Sequence, residues 1–141
     1  SMSALANFFK SLLGICETPE LAPDKWRLAG DTIRIDLSEA PQLTADEGAV
    51  YLAGKELPYP VLVFKKDGSY LALSNRCTHM GRKIDPVPDK PELRCCSVSH
   101  SRYDLDGNVI SGPASGRLDR YEVIRSGETI EIRIRPHVEN E

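Results

Sequence analysis

Short apolar segments, broken at close intervals by glycine-bearing reversals, constrain this chain more than any other feature. Val61-Leu62-Val63-Phe64 and Tyr70-Leu71-Ala72-Leu73 flank Lys65-Lys66-Asp67-Gly68-Ser69, and Asp-Gly supplies the positive φ that a tight reversal needs. A hairpin is expected there. A second follows from Tyr121-Glu122-Val123-Ile124 and Thr129-Ile130-Glu131-Ile132-Arg133-Ile134, separated by Arg125-Ser126-Gly127-Glu128. Between them Arg102-Tyr103-Asp104-Leu105 runs into Asp106-Gly107-Asn108 and out through Val109-Ile110, a third reversal. Thr32 to Leu37 alternates apolar and polar at period two, the pattern of a half-buried strand. Strands this short and this closely spaced pack as an antiparallel barrel or sandwich.

The 141 residues suit one domain with a continuous core. Pro19 and Pro23 separate it from an apolar stretch, Ala4 to Ile15, in which Leu5, Phe8, Phe9 and Leu12 fall on one helical face. The organisation expected is therefore an N-terminal helix and linker over 1–24, a β domain over 25–136 and a polar tail over 137–141. The apolar stretch is too short to span a bilayer and has no basic segment ahead of it, so neither a membrane anchor nor a secretion signal is read there. Lys and Arg are scattered without a basic run, which argues against nucleic acid as a partner. A cytoplasmic location is expected. Four cysteines in such a chain argue for metal or redox chemistry rather than a disulfide scaffold.

Those cysteines are not evenly placed. Cys77-Thr78-His79 follows the first hairpin, and Cys95-Cys96-Ser97-Val98-Ser99-His100 follows a proline-rich loop. Thiolate and imidazole are ligands for iron–sulfur clusters and for zinc, and two such groups on neighbouring loops can converge on one site. Cys16, with no histidine beside it, reads as a buried or half-buried thiol, and His137 as a solvated tail residue.

Cys77-Thr78-His79-Met80-Gly81, then Ser101-Arg102-Tyr103-Asp104, Gly107 and Ser111-Gly112-Pro113-Ala114, with Leu118, Tyr121 and Val123 beyond, together resemble the Rieske family. In that family C-x-H and C-x-x-H loops hold a [2Fe–2S] cluster, with two thiolates on one iron and two imidazoles on the other. The resemblance implies an all-β Rieske-like antiparallel barrel or sandwich with a small cluster-binding subdomain, preceded here by the short helix. It departs inside the second loop. Counted back from Tyr103, the family cysteine falls on Cys96, but the histidine position falls on Ser99 and the imidazole stands one residue later, at His100. Cys96 and His100 can bind with the loop bulged by one residue; Cys95 can pair with His100 across a longer loop; or Ser99 marks a lost ligand. Cys96 with His100 is favoured, because Cys96 keeps register with Ser101 and Tyr103. Cys95, next to it on an extended segment, would face the other way.

The resemblance thus implies Cys77, His79, Cys96 and His100 as ligands, with Ser101 and Tyr103 hydrogen-bonding to a bridging sulfide and a ligand sulfur. The positions of the extra cysteines that form a loop disulfide in one branch of the family are Arg82 and Val98 here, so the chain is closer to the ferredoxin-like branch. One-electron transfer is the implied function, as a carrier or as a small subunit of an oxidoreductase. The partner would be a protein, a reductase or a terminal oxidoreductase. A cluster-free binding subunit of a reductase and a structural zinc domain are the alternatives.

Overall fold

The computed structural model describes residues 16–78, 81–96 and 101–134. Among them are eleven strands: β1 (Trp26–Ala29), β2 (Thr32–Asp36), β3 (Ala49–Leu52), β4 (Val61–Lys66), β5 (Ser69–Ser74), β6 (Ile84–Pro86), β7 (Glu92–Cys95), β8 (Arg102–Asp104), β9 (Val109–Ser111), β10 (Arg120–Ser126) and β11 (Thr129–Arg133). Three short 3₁₀ turns lie at Pro23–Lys25, Leu37–Glu39 and Pro41–Leu43. The strands form a seven-stranded sheet in the order β1-β2-β11-β10-β5-β4-β3 and a four-stranded sheet in the order β6-β7-β8-β9. Every pairing between them is antiparallel. The all-β architecture is the one expected.

All three predicted reversals form. At the β4–β5 turn Asp67 and Gly68 carry φ of 51° and 81°, the paired positive values that match the twist of a two-residue hairpin. Ser126 faces Thr129 across the β10–β11 turn, and Tyr103 faces Val109 at the foot of the third. In β2 the period-two pattern resolves as expected, with Ile33 and Ile35 wholly buried and Arg34 and Asp36 exposed.

The uninterrupted apolar run of β4 has a different cause. Val61 and Val63 face one apolar cluster with Ile33, Ile35, Val50, Ile130 and Ile132. Leu62 and Phe64 face a second, with Leu73, Ile84, Leu93 and Leu118. The strand is buried on both faces, so it gains nothing from a polar alternate position. The four-stranded sheet packs on this second face, which sets the cysteine-bearing loops at its end.

The segment leading into the domain is fastened to it. Glu20 bridges Tyr51 in parallel, with Tyr51 N donating to Pro19 O and Leu21 N to Tyr51 O, both at 2.9 Å. Leu21 is buried in the first cluster. The expected helix at 4–15 and the tail at 137–141 lie outside the described residues.

Candidate metal centre

Both loops are closed at their bases by backbone hydrogen bonds. Asn75, just past β5, is buried, and its side-chain oxygen accepts the N–H of Ile84 at 2.6 Å, tying the start of the first loop to the start of β6. Within the loop Cys77 N donates to Arg82 O at 2.6 Å and Gly81 N to Cys77 O at 2.8 Å. Gly81 sits at φ 70°, where a residue with a Cβ is disfavoured. The second loop opens as β7 ends, where Cys95 N still belongs to the strand ladder and donates to Ser101 O at 2.8 Å. The next amide, Cys96 N, turns to Lys83 O at 2.8 Å. Cys77 and Cys96 are therefore bonded to the adjacent carbonyls of residues 82 and 83, and the two loops converge.

Tyr103 stands beneath them on β8, fully buried. Its hydroxyl donates to Cys77 Sγ at 3.3 Å and accepts the Thr78 amide at 3.1 Å. Burial, reinforced by the bond to Cys77, pushes this phenol up to about 12, so it remains a proton donor through neutral pH. Thr78 extends the clasp: its hydroxyl donates to Gly116 O at 2.6 Å and accepts Gly116 N–H at 3.3 Å. The loop after β9 is thereby tied to the first loop.

Ser101, also fully buried, accepts the Ala114 amide on its hydroxyl oxygen at 3.2 Å, which leaves the hydroxyl proton to be donated elsewhere. Gly112 passes so close that a Cβ there would lie 2.6 Å from Ser101 Cα, and its φ is +91°.

The four described cysteines of the loops and linker part company. Cys95, at the end of β7, points into the second apolar cluster with Cys77, Tyr103 and Leu93. Cys96, equally buried, is joined by a disulfide to Cys16, with 5.3 Å between the Cα atoms and 80 residues between them in sequence. Opposite facing of Cys95 and Cys96 was expected. The reading of Cys16 as a buried or half-buried thiol is corrected, since its sulfur is bonded to Cys96. The reason lies in Asp85, a buried carboxylate on β6 that accepts Glu17 N at 2.7 Å, Thr18 N at 3.1 Å and the Thr18 hydroxyl at 2.6 Å. Arg94 lies 4.0 Å from the same carboxylate. These bonds seat the linker against the second loop and bring Cys16 to Cys96; a carboxylate oxygen of Asp85 and the two sulfurs lie within 4.8 Å of one another.

Of the site residues expected from sequence, Cys77, Cys96, Ser101 and Tyr103 are thus gathered at one end of the smaller sheet. His79 and His100 lie outside the described residues, as does Ser99. Sequence reasoning missed Thr78, Asp85 and Cys16. The one available signal for Cys16 was the doubled cysteine at 95 and 96, since adjacent residues on a strand cannot both face one site.

A model of the family described as the Rieske [2Fe–2S] domain matches residues 34–122. Over 73 residues, 52% of this chain, the sequence is 36% identical to the carotenoid phi-ring synthase of Chlorobaculum tepidum. It is 35% identical over 72 residues, 51% of this chain, to the cytochrome b6-f complex iron-sulfur subunit of Chlorobaculum thiosulfatiphilum. These matches span 11% and 39% of the relatives' own lengths.

Among solved structures, a plasma membrane Rieske protein from the cyanobacterium Synechocystis superposes with a TM-score of 0.51 at 25% identity, covering 61% of this chain and 86% of that one. The ferredoxin of carbazole 1,9a-dioxygenase from Nocardioides aromaticivorans has the same fold, with a TM-score of 0.57 at 20% identity, covering 67% of this chain and 91% of that one. The family match takes in both cysteine loops and all of β3 to β9, and on it the chain belongs to the Rieske family, whose cofactor is a [2Fe–2S] cluster.

Proposed function

We propose that this chain passes single electrons through a [2Fe–2S] cluster, as a ferredoxin-like carrier or as a small electron-transfer subunit of an oxidoreductase. The ligands in this reading are Cys77 and Cys96 through sulfur and His79 and His100 through imidazole nitrogen. The observation that carries it is the Tyr103 hydroxyl, buried and donating to Cys77 Sγ at 3.3 Å. A donor aimed at a sulfur stabilises that sulfur when it carries more negative charge, which favours the reduced state.

The described residues fit such a group on the sulfur side when Cys96 is a thiol. Cys77 and Cys96 stand at the mouths of two convergent loops, and Ser101 has a proton to give. Cys95 does not suit the role. It is still in the β7 ladder and shares a buried cluster with Cys77 and Tyr103, whereas Cys96 stands at the loop mouth in register with Ser101 and Tyr103.

The bound cluster would supply one-electron oxidation and reduction. The protein's part is to position and tune it. Tyr103 holds its proton on Cys77, Thr78 clasps the first loop to Gly116, and Gly112 lets the loop after β9 close on Ser101. The partner in this reading is a redox protein, either a reductase or a terminal oxidoreductase, and the match to a cytochrome b6-f iron-sulfur subunit supports an electron-transfer role. Among the described residues no helix is long and apolar enough to cross a membrane. A reducing, cytoplasmic setting is proposed, because there the two ligand cysteines remain thiols.

Iron, acid-labile sulfide and zinc are to be measured on protein purified without oxygen, with the electron paramagnetic resonance of the reduced form. About two irons and two sulfides per chain with a Rieske spectrum are expected. Zinc alone would replace this reading with a structural metal domain. Absence of metal after reductive reconstitution would replace it with a cluster-free binding subunit.

A further inference from the structure

Cys96 has one sulfur and two claims on it. The ligand reading gives it to iron, while the structure bonds it to Cys16. We propose that Cys16 and Cys96 form a thiol latch, in which the disulfide withholds Cys96 from iron and its reduction by a dithiol releases Cys96 for cluster binding. The inference rests on Cys96 being a cluster ligand.

Three features make Cys16 a placed partner and not a chance neighbour. Its segment is held by three hydrogen bonds to the buried carboxylate of Asp85. It is held again, four residues on, by the Glu20–Tyr51 bridge and the Leu21 amide. Cys96 is also held: its amide is bonded to Lys83 O and its side chain is buried. Both ends of the disulfide are therefore positioned by groups that do not depend on the bond. Opening it leaves the two sulfurs close together, which favours reclosure when the redox balance reverses.

Exposure sets the direction of the chemistry. Cys16 is partly exposed and Cys96 is not, so an attacking thiolate reaches Cys16. A sulfur–sulfur bond forms between the reductant and Cys16, the Cys16–Cys96 bond breaks, and its electron pair leaves on Cys96 Sγ as a thiolate. The second thiol of the reductant then attacks the mixed disulfide and frees Cys16, and the dithiol departs as a disulfide with two electrons and two protons transferred. Closure is the reverse, with a small-molecule disulfide as oxidant. Cluster loading and the disulfide are mutually exclusive states of one sulfur.

The full chain, stripped of metal and oxidised with glutathione disulfide, is to be reconstituted with ferrous iron and sulfide under argon. One portion is first reduced with dithiothreitol and freed of it, and the other is not. Iron content and alkylation mass spectrometry are read over time. The unreduced wild type is expected to show the Cys16–Cys96 cross-linked peptide and to load about tenfold or more slowly than the reduced portion, since sulfide alone must open the bond. Cys16→Ser is expected to load at the fast rate with or without dithiothreitol. Equal rates for the two wild-type portions would overturn the latch, as would failure of reduced Cys16→Ser to load. Cys96→Ser is expected not to load under either condition. If it loads while Cys95→Ser does not, the ligand assignment fails, separately from the outcome for Cys16.

Discussion

At the scale of single residues, two buried hydrogen bonds do most to define the site. Tyr103 donates to a sulfur that becomes more electron-rich on reduction, so Tyr103→Phe should lower the reduction potential while leaving the packing of the ring intact. A net hydrogen bond of about 1 kcal/mol corresponds to roughly 40 mV for one electron, and protein-film voltammetry of the two forms measures the difference. The same phenol, pushed up to about 12 mainly by burial, carries a pH signature. Its folded value lies above the ordinary tyrosine value, so its contribution to stability is complete below pH ~10 and is lost as pH rises toward ~12. Urea melts of the apo-protein across that window should show a loss of stability that Tyr103→Phe reduces. Asn75 acts through the backbone. Asn75→Ala strands the Ile84 amide now bonded to it at 2.6 Å, and an unsatisfied buried donor costs about 1–3 kcal/mol, readable as a shifted urea midpoint.

At the scale of elements, the loop after β9 and the β8–β9 turn hold the smaller sheet in shape. Gly112 can approach Ser101 only because it has no side chain. Gly112→Ala would put a carbon 2.6 Å from Ser101 Cα at a φ of +91°, a combination that should cost about 2 kcal/mol or more and displace the Ser101 hydroxyl. Lower thermal stability together with poorer cluster retention is the expected result. In the turn, the Asp104 carboxylate accepts the amides of Asp106 and Asn108 at 2.9 Å each and the Asn108 side chain at 3.2 Å. Partial burial works to raise its pKa, but these donors together hold it below the usual aspartate value. A lowered carboxylate stabilises the fold above the unfolded-state pKa, and the contribution is lost as pH falls through the folded value. Asp104→Asn should therefore lower stability at pH ~8, where the carboxylate's contribution is fully present, and change little in acid below the folded value, so that urea melts across the acid range show a flatter limb.

At the scale of the whole molecule, Asp85 couples the linker to the second loop. Asp85→Asn would loosen Glu17 and Thr18 and leave the partly buried Arg94 without its carboxylate. Weakening these buried hydrogen bonds should cost about 1–3 kcal/mol, and hydrogen exchange at residues 17 to 21 should quicken more than in β2.

Much of this architecture was legible beforehand, because turns and strand faces are local matters. Asp67-Gly68 dictates its own reversal, Ile33 and Ile35 declare a buried face, and Cys77, Ser101 and Tyr103 keep their offsets from one another along a chain whose hairpins preserve register. Even the opposite facing of Cys95 and Cys96 follows from strand geometry alone. What sequence could not supply was which distant groups would meet. The meeting of Cys16 and Cys96 across 80 residues depends on a carboxylate on β6 capturing two amides of the linker, and no periodicity encodes that encounter. Tertiary structure alone decided it, because a sulfur's partner is set by where the folded backbone holds it in space.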